Sequence, residues 1–157
     1  MKGGVNMAYR VRLAIDPNAE EEIVIRCKTP SEEILKLQAA LTGGMREIEL
    51  LSGDEIYFIE TKSILFFETD GNKTAAHTKT HMYYTDLKLY ELEELLPRSF
   101  MRVSKSCIAN TMAISSIRKE ITGICEARFA DTGKKIFISR SYYKAFKDKI
   151  NETRLKL

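Results

Sequence analysis

Cysteine is scarce in this chain, and Cys27, Cys107 and Cys125 are widely spaced with no C-x-x-C. That pattern argues against a disulfide framework and a zinc knot. It reads as reduced thiols in or near the core. Long apolar runs are missing too. No stretch approaches the roughly 20 residues of a membrane span, and the N-terminus lacks the apolar core of a signal peptide. Membrane insertion is not expected, and the cytoplasm is the expected compartment. Catalytic signatures are absent or incomplete. His77-x-x-x-His81 lacks the Glu of H-E-x-x-H and falls where strands are read, which would set the rings more than ~10 Å apart. Ser141-x-x-Lys144 and Ser116-x-x-Lys119 have no S-D-N or K-T-G beside them. Thr132-Gly133-Lys134 lacks the first glycine of a P-loop. Asn72-Lys73-Thr74 and Asn151-Glu152-Thr153 are sequons without an export route. No enzyme activity, cofactor or metal is expected.

The 157 residues suffice for one main domain with a small appendage, and 44% hydrophobic content suffices for a core. Net charge is only +3. Its distribution is uneven: residues 1–97 carry 11 Lys/Arg against 17 Asp/Glu, and residues 98–157 carry 14 against 5. A basic C-terminal part suits a polyanion, or is simply a solvated basic face.

Residues 1–45 read as a β-β-α segment. Tyr9, Val11, Leu13 and Ile15 alternate with polar residues over a strand at 8–15, and Asp16-Pro17-Asn18 is a turn. Ile23-Val24-Ile25 is a second strand. Thr29 caps a helix with Pro30 in its first turn, and Ile34, Leu35, Leu37, Gln38 and Leu41 form its buried stripe. Gly43-Gly44 ends it. Lys-Gly-Gly at positions 2–4 can be encoded by a purine-rich ribosome-binding site. Met7 is therefore an expected native start, and a native mass beginning at Met1 would end that idea.

From Arg46 the pattern turns to strands. Ile48 to Phe58 is a hairpin about Ser52-Gly53-Asp54, and Ile64 to Glu68 is a strand. Asp70-Gly71-Asn72 is a turn. Ala75, His77, Lys79 and Met82 to Thr85 continue as strands. Leu87 to Leu96 is a short helix closed by Pro97. Phe100 to Asn110 is two β runs meeting at Ser104-Lys105-Ser106. Ile114 to Lys119, Ile124 to Phe129 and Lys135 to Ile138 are further strands. Tyr142, Tyr143, Phe146 and Ile150 lie on a last helix capped by Ser139 or Ser141. So many short strands with turn signals indicate a packed, mainly β antiparallel core.

Four pieces in series carry a family resemblance: Ile64 to Thr74, Leu87 to Pro97, Phe100-Met101-Arg102-Val103-Ser104-Lys105-Ser106-Cys107-Ile108-Ala109-Asn110, and Ile138 to Phe146. Together they resemble the LytTR domain of LytR/AlgR-type bacterial transcription regulators, across roughly residues 46 to 152. The resemblance implies a mainly β, antiparallel multi-sheet domain with short helices that binds duplex DNA through loops. On that reading residues 46–152 are the DNA-binding domain, 1–45 a dimerisation or regulatory segment, and 153–157 a tail. Some 45 preceding residues are too few for a phosphoacceptor receiver domain.

Carried over position by position, the resemblance implies three loops on DNA. The first holds Asn72 and Lys73, for adenine, guanine or phosphate. Asp70 beside them departs from the pattern and either repels phosphate or shapes the turn. The second holds Ser104, Lys105 and Ser106, with Lys105 at the base-contacting position. Arg102 either clamps phosphate or braces this loop. The third holds Ser139, Arg140 and Ser141, with Lys144 one helical turn on, at a helix N-terminus suited to phosphate. Some members place this basic residue where the chain has Ser141. Tyr142 either joins the core or touches the DNA backbone. The expected partners are double-stranded DNA at paired direct repeats and a second subunit. Residues 8–44 are available for an unidentified regulatory partner. A β-rich module for an acidic protein or ligand is the alternative. RNA is disfavoured because the loops lack an aromatic stacking platform. About 4–6 phosphate contacts would give a log–log salt slope near −4 to −5.

Overall fold

The computed structural model describes residues 10, 12, 15–18, 23–41 and 43–154, with the side chains of 39 and 40 left out. Among the described residues ten strands and three α-helices, besides two short 3-10 turns, follow in the order α1 (Glu32–Leu41), β1 (Glu47–Ser52), β2 (Glu55–Glu60), β3 (Phe66–Asp70), β4 (Lys73–His77), β5 (Met82–Thr85), α2 (Leu89–Leu95), β6 (Phe100–Ser104), β7 (Cys107–Asn110), β8 (Ile114–Lys119), β9 (Cys125–Phe129), β10 (Lys135–Ile138) and α3 (Arg140–Arg154). All pairings are antiparallel. One seven-stranded sheet runs β2-β1-β5-β4-β3-β7-β6, and a three-stranded sheet runs β10-β9-β8.

Alternation along the strands sorts the side chains onto two faces. Ile48, Leu50, Phe67, Ala76 and Ile108 point to one face of the large sheet, where Leu89, Leu92 and Leu96 of the α2 region cover them. Phe66, Cys107 and Ala109 point to the other. There Ala127, Phe129, Ile136 and Ile138 of the small sheet, with Phe146 and Ile150 of α3, close a second core. Covering both faces of β3 and β7 with apolar side chains locks their register. A one-residue slip would turn Phe66 and Phe67 to the wrong layers.

Tight turns join the strands where the sequence places glycine or small polar residues. Gly53 and Gly71 take φ of 60° and 58° in the β1–β2 and β3–β4 turns. Gly44 (φ +103°) is different: a Cβ there would lie 2.5 Å from the Pro97 backbone. Beside it Met45 N–H donates to the Leu95 carbonyl at 2.8 Å, so the end of α2 is sewn to the strand entering β1.

The N-terminal expectations change most. The strand read at 8–15 falls largely outside the described residues. The Asp16 turn is present, with Asn18 N–H on Asp16 Oδ1 at 3.0 Å. Ile23-Val24-Ile25 is not a strand: no described edge pairs with it, and Ile23 and Ile25 instead border a groove with Ile34 and Leu35. Ser31, not Thr29, caps α1, its Oγ accepting from Ile34 N–H at 3.3 Å. The stripe expected to be buried is not: Leu35, Leu37 and Leu41 are each about half exposed. An ion pair, Lys36 to Glu94 at 3.1 Å, links α1 to α2. Cys27 is exposed, against the expectation of a core thiol. Further along, Lys79 and His81 lie in a turn, closed by Thr78 N–H on the His81 carbonyl at 3.0 Å, and not in strands. The separation argument against a metal pair therefore fails. His77 is engaged by Glu68 at 2.8 Å and His81 by Thr80 at 2.8 Å. Among the described residues no cluster of His, Cys, Asp or Glu could hold a metal ion.

Candidate nucleic-acid interface

Antiparallel pairing of β3 with β7 puts the β3–β4 turn and the β6–β7 turn at one end of the large sheet. Thr69 N–H, at the exit of β3, donates to the Ser106 carbonyl at 2.9 Å and ties them together. The third predicted segment arrives at the same place. Ser139 N–H donates to the Val103 carbonyl at 2.9 Å, just before Ser104, so β10 delivers the start of α3 beside the second turn. Asn72, Lys105 and Arg140 are thus all exposed and share one end of the molecule. Ser104, Ser106, Ser139 and Arg140 line one depression there, with Glu68 and Lys135 on its walls.

Each turn is held by its own bonds. In the first, Lys88 Nζ donates to the Asn72 carbonyl at 2.5 Å, and Tyr84 O–H donates to Asp70 at 3.1 Å. Asp70 therefore shapes the turn through Tyr84, and its carboxylate pushes the Tyr84 phenol above its ordinary pKa. In the second, Ser104 Oγ accepts from Ser106 N–H at 3.3 Å. Arg102 supplies the main brace. Its Nε donates to the Ser104 carbonyl at 3.0 Å, Nη2 to the Lys105 carbonyl at 2.5 Å, and Nη1 to Glu93 at 2.9 Å. That leaves Lys105 as the exposed cation of the turn. In the third, the helix begins at Arg140, so Ser139 occupies the capping position and Ser141 lies inside the first turn. The two hydroxyls are 3.4 Å apart. Arg140 Nη2 donates to the Thr122 carbonyl at 2.5 Å. Lys144 is exposed one turn on, while Tyr142 packs against the inter-sheet core.

Burial pushes the Cys107 thiol up to about 12. His77, stacked on Phe66 with ring centroids 4.2 Å apart, is held below its ordinary pKa by burial, which outweighs Glu68. Outside the turns, buried Glu126 is ringed by Arg128 (2.6 Å), Lys135 (3.2 Å) and Arg118 (3.6 Å) on the outer face of the small sheet. The Arg128 hydrogen bond holds its carboxyl below the usual range.

Sequence reading missed Lys88, Glu93 and the β8–β9 loop. The first two belong to the leucine-rich helix region, and only the tertiary fold brings them to the turns. The loop carries a turn signal at Thr122-Gly123 but no cation.

Cationic and hydroxyl-bearing turns gathered at one end of a β framework suit a polyanionic ligand. The family described as "LytTr DNA-binding domain" matches residues 54–151, and the chain belongs to that family. It is similar to uncharacterized HTH-type transcriptional regulators of Staphylococcus aureus, 31% identical over 97 residues in strains bovine RF122 / ET3-1 and NCTC 8325 / PS 47. Those alignments cover 62% of this chain and 65% of the relatives, so the chain spans just under two thirds of their length. A solved LytTr DNA-binding domain from Bacillus cereus superposes with a TM-score of 0.64 at 23% identity, covering 68% of this chain and 98% of that one, and supports the fold. Among the described residues strands separate all three helices, so no helix-turn-helix pair is present there.

Proposed function

We propose that this chain is a sequence-specific bacterial transcription regulator that reads duplex DNA through three turns. The observation that carries the reading is the gathering of Asn72, Lys105 and Arg140 at one exposed end. Lys105 reads a base edge, Asn72 pairs with adenine, and Lys73 reaches guanine or phosphate. Ser104, Ser106, Ser139 and Ser141 offer hydroxyls to phosphate oxygens, and Lys144 adds a point charge. Arg102 is a positioning residue, since its three engaged nitrogens hold the turn. Arg140 has donors left for phosphate beyond the one on Thr122.

In this reading the protein works in the cytoplasm as a DNA-binding regulator and not as an enzyme, without cofactor or metal. Two subunits occupy directly repeated sites. The half-exposed leucines of α1 are available for self-association. Residues 46–152 form the DNA-binding domain, to which Gly44 and Met45 also pack.

Duplex selected from a random pool, then gel shifts against selected and random duplex, test this. Lys105→Ala is expected to cost about 1–3 kcal/mol on selected duplex and little on random duplex. Lys144→Ala is expected to weaken both alike. A pool that never enriches, or an acidic protein that outcompetes duplex, would remove the reading.

A further inference from the structure

The loop between β8 and β9 has no part in the reading above, yet like the second turn it is braced by an arginine. Glu120 N–H donates to the Ile124 carbonyl at 2.8 Å, and Gly123 N–H to the Glu120 carbonyl at 2.9 Å. Gly123 takes φ +83°, and a Cβ there would lie 3.4 Å from Arg140 Nε, so the guanidinium sits against the loop backbone. Arg140 then donates to the Thr122 carbonyl at 2.5 Å. Arg102 likewise braces the second turn, through two nitrogens on the Ser104 and Lys105 carbonyls. The two braced loops also share a seam. Ile138 pairs with Cys125 at the loop's exit, Ser139 bonds to Val103, and Ile124 lines the same depression as Ser104, Ser106 and Arg140.

What the second brace presents is apolar. Ile121 is 107% exposed, more than any other large apolar side chain among the described residues. A single exposed aliphatic on a protein surface is ordinary and signals nothing by itself. This one stands next to a carbonyl pinned by a charged group, at the end of the fold where the cationic turns gather. An aliphatic tip among cations fits a surface that meets DNA. Phosphates meet the charges, and the 5-methyl group of thymine is the apolar feature of the major groove.

We propose that Ile121 is a fourth reading element, packing against a thymine methyl of the bound site, with Arg140 as its positioning residue. The proposal rests on the DNA-reading function above and deepens it. The full chain would be titrated against its selected duplex with each thymine replaced in turn by deoxyuridine, which lacks only that methyl. Wild type, Ile121→Ala and Lys105→Ala are compared. Because Ile121 is exposed, its truncation leaves the fold intact, and a urea titration checks this. At one thymine the replacement is expected to weaken wild-type binding about three- to fivefold, the worth of one buried methyl, and to leave Ile121→Ala unchanged. If every replacement affects wild type and Ile121→Ala equally, while Lys105→Ala remains impaired, the inference is overturned and the DNA reading stands. If Lys105→Ala also binds as wild type, the DNA reading itself fails.

Discussion

Arg102 offers the sharpest test of how the second turn works. Its side chain is 23% exposed, and its guanidinium takes two carbonyls and a carboxylate. Truncation to alanine frees the Ser104 and Lys105 carbonyls, which water can reach at an exposed turn. Each lost bond then costs about the low end of the ~1.5–3 kcal/mol range for hydrogen bonds to a charged group. The half-exposed Glu93 pair adds no more than about 1 kcal/mol. The expected loss of stability is about 3–4 kcal/mol in urea unfolding. Three loosened residues must then be re-ordered on DNA. At roughly 1 kcal/mol each as an upper bound, specific affinity falls by about 1–3 kcal/mol. Arg102→Lys is expected to behave much like alanine, because an ammonium cannot span three acceptors with a planar fork. Fluorescence anisotropy against selected and random duplex over a salt series is the assay. A bracing role leaves the salt slope unchanged, whereas a phosphate clamp makes it shallower by about 0.9 in Arg102→Ala. A shallower slope with intact stability, or full rescue by lysine, would refute the reasoning.

Three other outcomes follow from the fold. The folded-state carboxyl of Glu126 sits below its ordinary value of 4.5, so its stabilising contribution is present above the unfolded value and is lost as pH falls through the folded one. Urea midpoints of the wild type should therefore drop below about pH 4.5, with a flatter profile for Glu126→Gln. At neutral pH Glu126→Ala should unfold at lower urea, because Arg118, Arg128 and Lys135 are left facing one another. Gly44→Ala forces a Cβ into the Pro97 backbone and should cost about 3 kcal/mol, read as a lower melting temperature. Alkylation of the native protein at pH 8 should label Cys27 alone, since Cys107 and Cys125 are buried and burial raises both thiols. Mass spectrometry should show three labels after denaturation.

The strands of the domain were legible in the chain because their causes are local. The Ile48 and Leu50 spacing, the short apolar runs on either side of Ser104-Lys105-Ser106 and the turn residues Gly53 and Gly71 act within a few residues, and the observed hairpins follow them. The α1 stripe misled because periodicity reports a face that can be buried, not one that is. Leu35, Leu37 and Leu41 remain half exposed among the described contacts. Ile23–Ile25 had strand composition but pairs with no edge among the described residues. Likewise Lys79 and His81 continued an alternating pattern, but the chain reverses at Thr78.

Sequence by itself determined that this chain makes antiparallel β structure, and which turns carry the cations and hydroxyls, because side-chain alternation and turn chemistry are short-range. Only the tertiary structure decided which of those groups are free. Pairing of β3 with β7, and the bond from Ser139 to Val103, bring segments more than 30 residues apart to one end. There Arg102 spends three nitrogens on the second turn and Glu93, while Arg140 spends one on the Thr122 carbonyl. Lys105 is left pointing outward because its neighbour's guanidinium holds the turn that carries it, and no local pattern encodes that division of labour.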